Sequence, residues 1–284
     1  MRRTTVALAL AFSAGLELWG GPAARADEPA DHYNLALQYK REGKVAEAIA
    51  ECEKAVSLRA DYAAAHLTLG NLYRGKGDYA RAATEYEKTV KLQPKDATAH
   101  GNLGAAYVRL KRVDDGIREL ETALDLQPND YEARVSLGFA YKQKGDYKHA
   151  IEHLEKATEV KPDDTQAWTN LGVAKSKTDD RDGAVAAFRK AITLNPDDAQ
   201  LHFDLGVVYR RQRKSDEAIA EYRLAIQKNE KYAPAYYDLG ILLSQEKKTA
   251  EAREAFEKYL QVGTREDAAS RKDAEDRLKT FKSK

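Results

Sequence analysis

Glycine recurs at one fixed interval along most of this chain. Steps of 34 residues in both directions from Gly138 reach a glycine every time between positions 70 and 240. A glycine inside a helix costs roughly 1 kcal/mol relative to alanine, so this register needs a packing reason. We therefore expect two helices to approach so closely at each glycine that a Cβ would collide. The glycines are Gly70, Gly104, Gly138, Gly172, Gly206 and Gly240.

The stretch 131–164 contains one complete copy of the repeated unit. Apolar residues fall at helical spacing in both of its halves, which predicts two amphipathic helices. Gly145, between them, suits the positive φ that ends a first helix, and Asp146 suits the N-cap of a second. Pro162 then stops the second helix. The unit is predicted to be a helical hairpin.

A helical hairpin that repeats every 34 residues resembles the tetratricopeptide repeat family. The aromatic residue three positions after the glycine is Tyr73, Tyr107, Tyr141 and Tyr209. The small residue that opens the second helix is Ala82, Ala150, Ala184, Ala218 and Ala252, and the matching proline is Pro94, Pro128, Pro162 and Pro196.

The resemblance implies an all-α fold, a right-handed superhelical solenoid of tandem helix-turn-helix hairpins. A polar helix within 264–284, with Ala274, Leu278 and Phe281 on one stripe, is expected to cap its last hydrophobic face. Seven repeats are predicted, at 29–62, 63–96, 97–130, 131–164, 165–198, 199–232 and 233–266.

The fifth repeat departs most from the pattern. Lys175 stands where most repeats have tyrosine, and Asp179 stands where the turn glycine is expected. We expect weaker local packing there and a bend in the superhelix.

Residues 1–26 lie outside the repeats and have the features of a secretory signal peptide. Two arginines precede an apolar run at 6–18, and residues 24–26 provide an A-x-A cleavage site. The apolar run is short for a bilayer span, so a permanent anchor is the weaker interpretation. We expect cleavage after Ala26, and a periplasmic or secreted protein with no membrane span after cleavage.

Composition narrows the function further. The chain is 43% hydrophobic and 33% charged, which is typical of a soluble helical protein. Its formal net charge of +1 gives no reason to expect a nucleic-acid partner. Cys52 is the only cysteine and falls at a core position of a second helix, so we expect it to pack rather than react.

One pattern resembles a catalytic motif. His149-Ala-Ile-Glu152-His153 matches the H-x-x-E-H motif of inverzincin metallopeptidases, in which two histidines bind zinc and the glutamate is the general base. However, Ala150 and Ile151 occupy core positions, which turns both histidines toward the convex surface, and no third ligand is evident. We expect no enzyme activity, catalytic residue, metal or cofactor, and keep a zinc metallopeptidase as an alternative.

Four other histidines share one repeat position, which carries Trp168 in the fifth repeat and Tyr236 in the seventh. Because aromatic residues substitute there, and because neighbouring helix axes are about 8 to 10 Å apart, we expect half-buried packing rather than a shared metal ion. These histidines are His32, His66, His100 and His202.

The resemblance also implies where a partner binds. In tetratricopeptide repeat proteins, the first helices line the concave face and hold peptides or extended segments of partners. Short polar residues at the ladder position, two before each glycine, can hydrogen-bond a passing backbone. Cations near the ends of the first helices could orient an acidic partner, although the helix dipole alone also favours them there. The expected binding residues are Tyr33, Asn34, Asn71, Arg74, Asn102, Arg109, Phe139, Lys142, Asn170, Phe203, Arg210 and Tyr237.

The sequence therefore predicts a non-catalytic scaffold or adaptor of the bacterial periplasm or cell envelope. Its concave groove would hold an extended peptide or segment of another protein, and acidic segments are among the expected partners. An accessory subunit of envelope polysaccharide or secretion machinery is the alternative, and it would use the same groove for a different client.

Overall fold

The computed structural model describes residues 28–263 and 267–282, and these contain fifteen α-helices. Seven hairpins are followed by one single helix, so the predicted all-helical array of tandem hairpins is confirmed. The first helices are α1 (Glu28–Arg41), α3 (Ala63–Gly75), α5 (Ala97–Arg109), α7 (Tyr131–Lys144), α9 (Thr165–Ser176), α11 (Ala199–Arg211) and α13 (Ala233–Gln245). The second helices are α2 (Val45–Leu58), α4 (Tyr79–Leu92), α6 (Val113–Leu126), α8 (Tyr147–Val160), α10 (Arg181–Leu194), α12 (Ser215–Lys228) and α14 (Thr249–Val262). The last helix is α15 (Ala268–Lys282). The predicted signal peptide, 1–26, lies outside the described residues.

Aspartate side chains fix the start of many helices. Asp130 accepts a hydrogen bond from the backbone N–H of Ala133 at 3.0 Å, and Asp146 accepts one from His149 at 3.2 Å. Asp164 caps α9 in the same way. Since the first N–H groups of a helix have no partner within the helix, each cap satisfies one of them.

The turn inside most hairpins contains a residue with a positive φ. Gly145 has a φ of 83°, as predicted. Lys111, Arg213 and Lys247 occupy the same position in other repeats with φ values of 66°, 61° and 61°, a conformation that is costly for a residue with a Cβ. Asp179, in the fifth repeat, does not adopt it, so that hairpin turns with a different backbone geometry. The bend expected there stays a prediction.

The recurring glycines lie where the two helices of a hairpin cross. A Cβ added to Gly138 would lie 2.5 Å from Leu154 Cγ, far inside van der Waals contact. In the third hairpin, the added Cβ would also meet a backbone atom. On Gly104 it would lie 2.8 Å from the carbonyl oxygen of Gly116. The packing reason predicted for these glycines is confirmed.

Where a tyrosine stands three positions after the glycine, in repeats two, three, four and six, it ties its repeat to the one before it. The Tyr107 hydroxyl donates to Glu87 at 2.7 Å, and Tyr141 donates to Glu121 at the same distance. In the fifth repeat, Lys175 takes this place, with its Nζ 2.8 Å from a Glu155 oxygen. The link between repeats is therefore kept at the position where the sequence predicts weaker packing.

The first helices form one layer of the array. Besides the helices next to them in sequence, α5 contacts α7, α7 contacts α9, and α9 contacts α11. In a curved stack, alternate elements are closest on the inner side, so the first helices line the concave face.

The helix α15 covers the seventh hairpin. Ala274 is fully buried, and Leu278 and Phe281 pack against the cluster around Phe256. Asp267 caps this helix by accepting a hydrogen bond from a backbone N–H three residues on, at 3.2 Å. None of the helices within residues 28–263 and 267–282 combines the length and apolar composition needed to cross a membrane.

Candidate partner-binding groove

The concave face contains a cleft of about 530 Å³ that extends from the second repeat to the fifth. Its walls come mainly from the first helices α3, α5, α7 and α9. The residues that line it include Arg74, Tyr79, Arg109, Val135, Ser136, Phe139, Gln166 and Asn170. Together with the adjacent Lys142, we call the set Arg74, Arg109, Phe139, Lys142 and Asn170 the basic cleft.

Two cations share the Phe139 ring. The Arg109 guanidinium lies 5.6 Å from the ring centroid, and the Lys142 ammonium lies 4.9 Å from it. Arg109 also lies 6.0 Å from the Tyr79 ring. Such cation–π contacts hold the cations in place while leaving their hydrogen-bond donors available to a ligand.

Lys142 is the most enclosed cation of the basic cleft. Its Nζ donates to the Asn170 side-chain oxygen at 2.6 Å, and Asn170 is itself buried. Burial lowers the pKa of the Lys142 ammonium. In the part of the chain that the structure describes, no carboxylate forms an ion pair with Arg74, Arg109 or Lys142. These cations can therefore receive a negatively charged ligand.

A second cleft, of about 400 Å³, lies between the sixth and seventh repeats and α15. Aromatic rings dominate its walls, and the ring centroids of Phe203 and Tyr232 are 5.5 Å apart. The residues that line it include Phe203, Lys231, Tyr232, Tyr237, Asp238, Tyr259 and Asp267. With Asp204, whose charge acts on Tyr232, we call the set Phe203, Asp204, Tyr232, Tyr237 and Asp238 the acidic cleft.

Asp204 and Asp238, two of the carboxylates at the acidic cleft, are only partly neutralised. Asp204 accepts a hydrogen bond from the Gln200 amide at 2.9 Å, and burial raises the pKa of its carboxyl. Asp238 lies 3.6 Å from Arg210 and 3.5 Å from the Tyr222 hydroxyl, and burial raises its pKa as well. Both carboxylates retain oxygen lone pairs for a ligand.

The predicted residues near the N-terminal end are mostly engaged with the protein itself. Asn71 accepts hydrogen bonds from the Tyr86 hydroxyl at 2.8 Å and from the Asn102 amide at 3.4 Å. The Tyr33 hydroxyl lies 3.2 Å from the Thr68 hydroxyl. Asn34 is exposed and lines a shallow pocket in the first repeat. Polar ladder residues in this part of the chain therefore also hold neighbouring repeats together.

The twelve residues expected from the sequence thus separate into three places. Arg74, Arg109, Phe139, Lys142 and Asn170 come together in the basic cleft, and Tyr33, Asn34, Asn71 and Asn102 lie toward the N-terminal end. Phe203 and Tyr237 lie in the acidic cleft, and Arg210 forms an ion pair with the Asp238 carboxylate of that cleft. The assignment of these residues to partner binding stays a prediction.

Sequence reasoning missed Tyr79 and Tyr232 as groove residues, whereas Asp204 and Asp238 stand at the ladder position that it assigned to the groove. A signal for Tyr232 exists, because repeats three to six have an aspartate cap at its position, whereas Tyr232, like Tyr62, leaves its helix without a side-chain cap. The ladder position turns acidic at Asp204 and Asp238, which is also visible in the sequence.

The metallopeptidase motif does not assemble a metal centre in the structure. His149 Nδ1 lies 2.6 Å from Asp146, and the rings of His149 and His153 both stack on Tyr141. Glu152 forms an ion pair with Lys156 at 2.8 Å. The residues of 28–263 and 267–282 contain no group of three side chains placed to bind a metal ion, so zinc chemistry has no third ligand to build on.

The shared histidine position is more buried than the sequence predicts. His32 is half-buried, but His66, His100 and His202 are buried, so the expectation of half-buried packing is wrong for these three. Each histidine pairs with a glutamate from the second helix of its own repeat, and His66 Nδ1 lies 2.6 Å from Glu85 Oε2. The reason is that a buried imidazole needs polar partners, which the hairpin supplies.

In repeats two to six, the same position also contacts the loop before the hairpin. His66 Nε2 lies 3.0 Å from the Ala60 carbonyl oxygen, and in the fifth repeat Trp168 Nε1 donates to the Pro162 carbonyl at the same distance. Where Trp168 replaces histidine, Ala187 replaces the glutamate. The two positions therefore differ together between repeats.

Tandem helical hairpins around a concave, charged groove define a helical-repeat interaction protein. The chain belongs to the tetratricopeptide repeat family, because a family model described as tetratricopeptide repeat matches residues 67–131, 106–157 and 174–233. Two further models, described as TPR repeat and tetratricopeptide repeat, match 140–179 and then 32–62 with 233–262. Proteins of this family mediate protein and peptide binding and are typically non-catalytic.

Solved structures agree with this assignment. The MamA protein is 26% identical, covers 61% of this chain and 94% of its own, and superposes with a TM-score of 0.55. YrrB, described as a TPR protein with an unusual peptide-binding site, is 22% identical over 69% of this chain and 97% of its own, with a TM-score of 0.57. A tetratricopeptide repeat protein from Parabacteroides merdae is 19% identical over 90% of this chain and 99% of its own, with a TM-score of 0.63. The last two likenesses show the fold alone. No curated protein matches the chain.

Proposed function

We propose that this protein is a non-catalytic scaffold that holds an extended segment of another protein in its concave groove. The observation that carries the proposal is the basic cleft, where Arg109 and Lys142 flank the half-buried Phe139 ring without any carboxylate partner among the described residues. An aromatic ring supplies apolar contact area, and the cations supply charge complementarity. Membership of a family that binds proteins and peptides supports the same function.

We further propose that the protein works in the bacterial periplasm or cell envelope. The support is the pattern of residues 1–26, with its basic start, apolar run and A-x-A site. Fractionation of the native cell, followed by N-terminal sequencing, tests this part. A mature chain that begins at Asp27 in the envelope or periplasmic fraction is the expected result, and an uncleaved chain in the cytoplasm contradicts it.

Site-specific photo-crosslinking in native cells tests the groove. We would place the photoreactive residue at Phe139, in the basic cleft, and at Phe203, in the acidic cleft. A matched control carries it at Lys148, which is exposed on the second helix α8 of the fourth repeat. The expected result is capture of one protein from both groove positions and not from Lys148.

The opposite pattern contradicts the proposed groove. If Lys148 captures a partner and neither phenylalanine position does, the convex surface is the binding face. If all three positions give no adduct, the scaffold function fails in the cells tested. The captured client also distinguishes an adaptor from an accessory subunit of polysaccharide or secretion machinery, because these two differ only in that client.

A further inference from the structure

The two clefts of the groove carry opposite charges on the same scaffold. The ladder position, two residues before each recurring glycine, is neutral from Asn34 to Asn170 and acidic at Asp204 and Asp238. Arg74, Arg109 and Lys142, which form no ion pair with any residue that the structure describes, come from repeats two to four. A segment lying along the groove therefore meets cations first and carboxylates later.

Lys142 is partly buried but forms no ion pair with a carboxylate among the described residues. Its ammonium is partly withdrawn from water and has a neutral amide oxygen and an aromatic ring as its neighbours. Partial burial of a charge is unfavourable unless an opposite charge or several hydrogen bonds compensate it. Only one of its three N–H donors is used in the described residues. A carboxylate of a ligand would supply both an opposite charge and acceptors for the remaining N–H donors.

Asp204 lacks a partner in the opposite sense. It is partly withdrawn from water and accepts a hydrogen bond only from Gln200, with no cation in ion-pair contact among the described residues. Asp238 has a cation near it, but Arg210 is 3.6 Å away and lies toward the end of α11. An ammonium or guanidinium group of a ligand would form an ion pair with either carboxylate.

Lys142 and Asp204 interact through their charges but do not form an ion pair. They lie on first helices two repeats apart, and each charge partly compensates the other, since Asp204 favours the charged form of Lys142 and Lys142 favours that of Asp204. The fifth repeat stands between them. The array therefore keeps two opposite charges separate on one face, where a single extended ligand can contact both.

The walls of the acidic cleft favour a cation with an extended apolar or planar side chain. Phe203, Tyr232 and Tyr237 present aromatic rings beside the carboxylates. The chain itself places guanidinium groups on such rings, as Arg112 does over Tyr107 at 3.9 Å. Lys231 also lines this cleft, but it is exposed to solvent, so water and salt screen its charge.

We propose that the segment held in the groove is charge-polarised, with acidic side chains over the basic cleft and a lysine or arginine side chain in the acidic cleft. The proposal rests on the proposed scaffold function and names the chemistry of its partner. Because the two ends differ in charge, the groove selects the order in which the charges of a segment occur as well as their sign.

Binding of simple charged peptides to the full chain tests the proposal without knowledge of the natural partner. The probes are fluorescein-labelled hexaglutamate and hexaarginine, with labelled hexaserine as the neutral reference, measured by fluorescence anisotropy at low ionic strength. We expect Lys142→Met to weaken hexaglutamate binding about fivefold or more and to spare hexaarginine. We expect Asp204→Asn to weaken hexaarginine binding by a similar factor and to spare hexaglutamate.

Matched variants control for net charge. Lys148→Met removes one exposed lysine, and Asp216→Asn removes one exposed aspartate at the start of α12. Each changes the net charge of the chain by the same amount as its groove counterpart. Both controls are expected to change the affinity for either charged peptide less than twofold.

Three results overturn the proposal. In the first, neither charged peptide binds better than hexaserine. In the second, Lys142→Met and Asp204→Asn affect both charged peptides alike. In the third, the control variants weaken binding as much as the groove variants. These outcomes are independent of the crosslinking, so a captured protein with no charge discrimination would leave the scaffold function intact while removing the polarity.

Discussion

The interior between the helices and the concave groove follow different rules in this array. In the interior, glycine meets a large side chain of the second helix in one repeat after another, as Gly138 meets Leu154 and Gly206 meets Tyr222. In the groove, the ladder position changes from Asn170 to a carboxylate one repeat later. Packing fixes the interior because every hairpin must stack on the next, whereas the groove positions contribute less to the stack and can diverge more. Divergence within a regular array therefore indicates where a partner is recognised.

The largest effect is expected from Gly104→Ala, which alters the interior. The added Cβ would lie 2.8 Å from a backbone oxygen of α6 and 2.7 Å from Leu120 Cγ, so the two helices must separate. We expect the free energy of unfolding to fall by about 3 kcal/mol, the upper end for overpacking. Urea denaturation followed by circular dichroism measures it.

The matched control is Gly75→Ala, at the end of α3. A Cβ there meets nothing within 4 Å, so the change should be neutral or stabilise by about 0.5 kcal/mol through the unfolded chain. Equal effects of the two substitutions on the free energy of unfolding would show that the close approach of α5 and α6 does not explain why position 104 is glycine.

The second prediction concerns the pair of positions that differ together between repeats. His66→Trp alone leaves the buried Glu85 carboxylate without its imidazole partner and adds bulk, so we expect a loss of about 2 kcal/mol. Adding Glu85→Ala reproduces the combination of Trp168 with Ala187 and should restore most of that loss. A double-mutant cycle is expected to give a coupling energy above about 1 kcal/mol.

Absence of coupling would contradict this interpretation. If the losses from His66→Trp and Glu85→Ala simply add, the tryptophan and alanine of the fifth repeat are unrelated substitutions. Glu85 also pairs with Lys88 at 2.8 Å, so Lys88→Met is needed as a control for the loss of that exposed ion pair.

The sequence predicts the interior much better than the groove. The glycine crossings, the cap at Asp146 and the turn at Gly145 could be predicted because each rests on a local rule that the 34-residue register repeats. The glutamate partners of the buried histidines could not, since they come from the facing helix and depend on how the hairpin closes.

The side-chain contacts within the groove could not be predicted from the sequence for a related reason. Lys142 is one of the cations predicted near the ends of the first helices, but its contact with the Asn170 amide depends on how α7 and α9 pack. Tyr232 is brought to the Phe203 ring by the stacking of one hairpin on the next. Such side chains meet only in the assembled array, so spacing along the chain does not reveal them.

A third prediction concerns the turns that connect the two helices of a hairpin. Arg213 adopts a φ of 61°, where the first, second and fourth repeats have glycine, so Arg213→Gly should relieve backbone strain. We expect a gain of about 0.5 to 1 kcal/mol in the free energy of unfolding, reduced by the added freedom of the unfolded chain. The reciprocal substitution Gly145→Ala should lose a similar amount. Thermal unfolding measures both, and a loss of stability in Arg213→Gly would mean that the arginine side chain contributes more than the strain costs.

The smallest effect on stability is expected in the groove, from Asp204→Asn. Burial raises the pKa of the Asp204 carboxyl in the folded chain above its value in the unfolded chain, so the ionised form opposes folding. The wild-type chain therefore gains stability relative to the variant as the pH falls through that raised pKa. We expect the variant to be more stable by less than about 1 kcal/mol at neutral pH, with the difference vanishing in acid.

Denaturation at neutral and acid pH, with Asp216→Asn as the single-charge control, decides this prediction. A variant that is less stable than the wild type at neutral pH, or one whose difference does not change with pH, would contradict it. If the expected pattern is found, Asp204 is a residue whose ionised form slightly destabilises the array. Since substitution by asparagine would remove that cost while keeping the contact with Gln200, the carboxylate would then be explained by what it binds in the groove rather than by what it does for the fold.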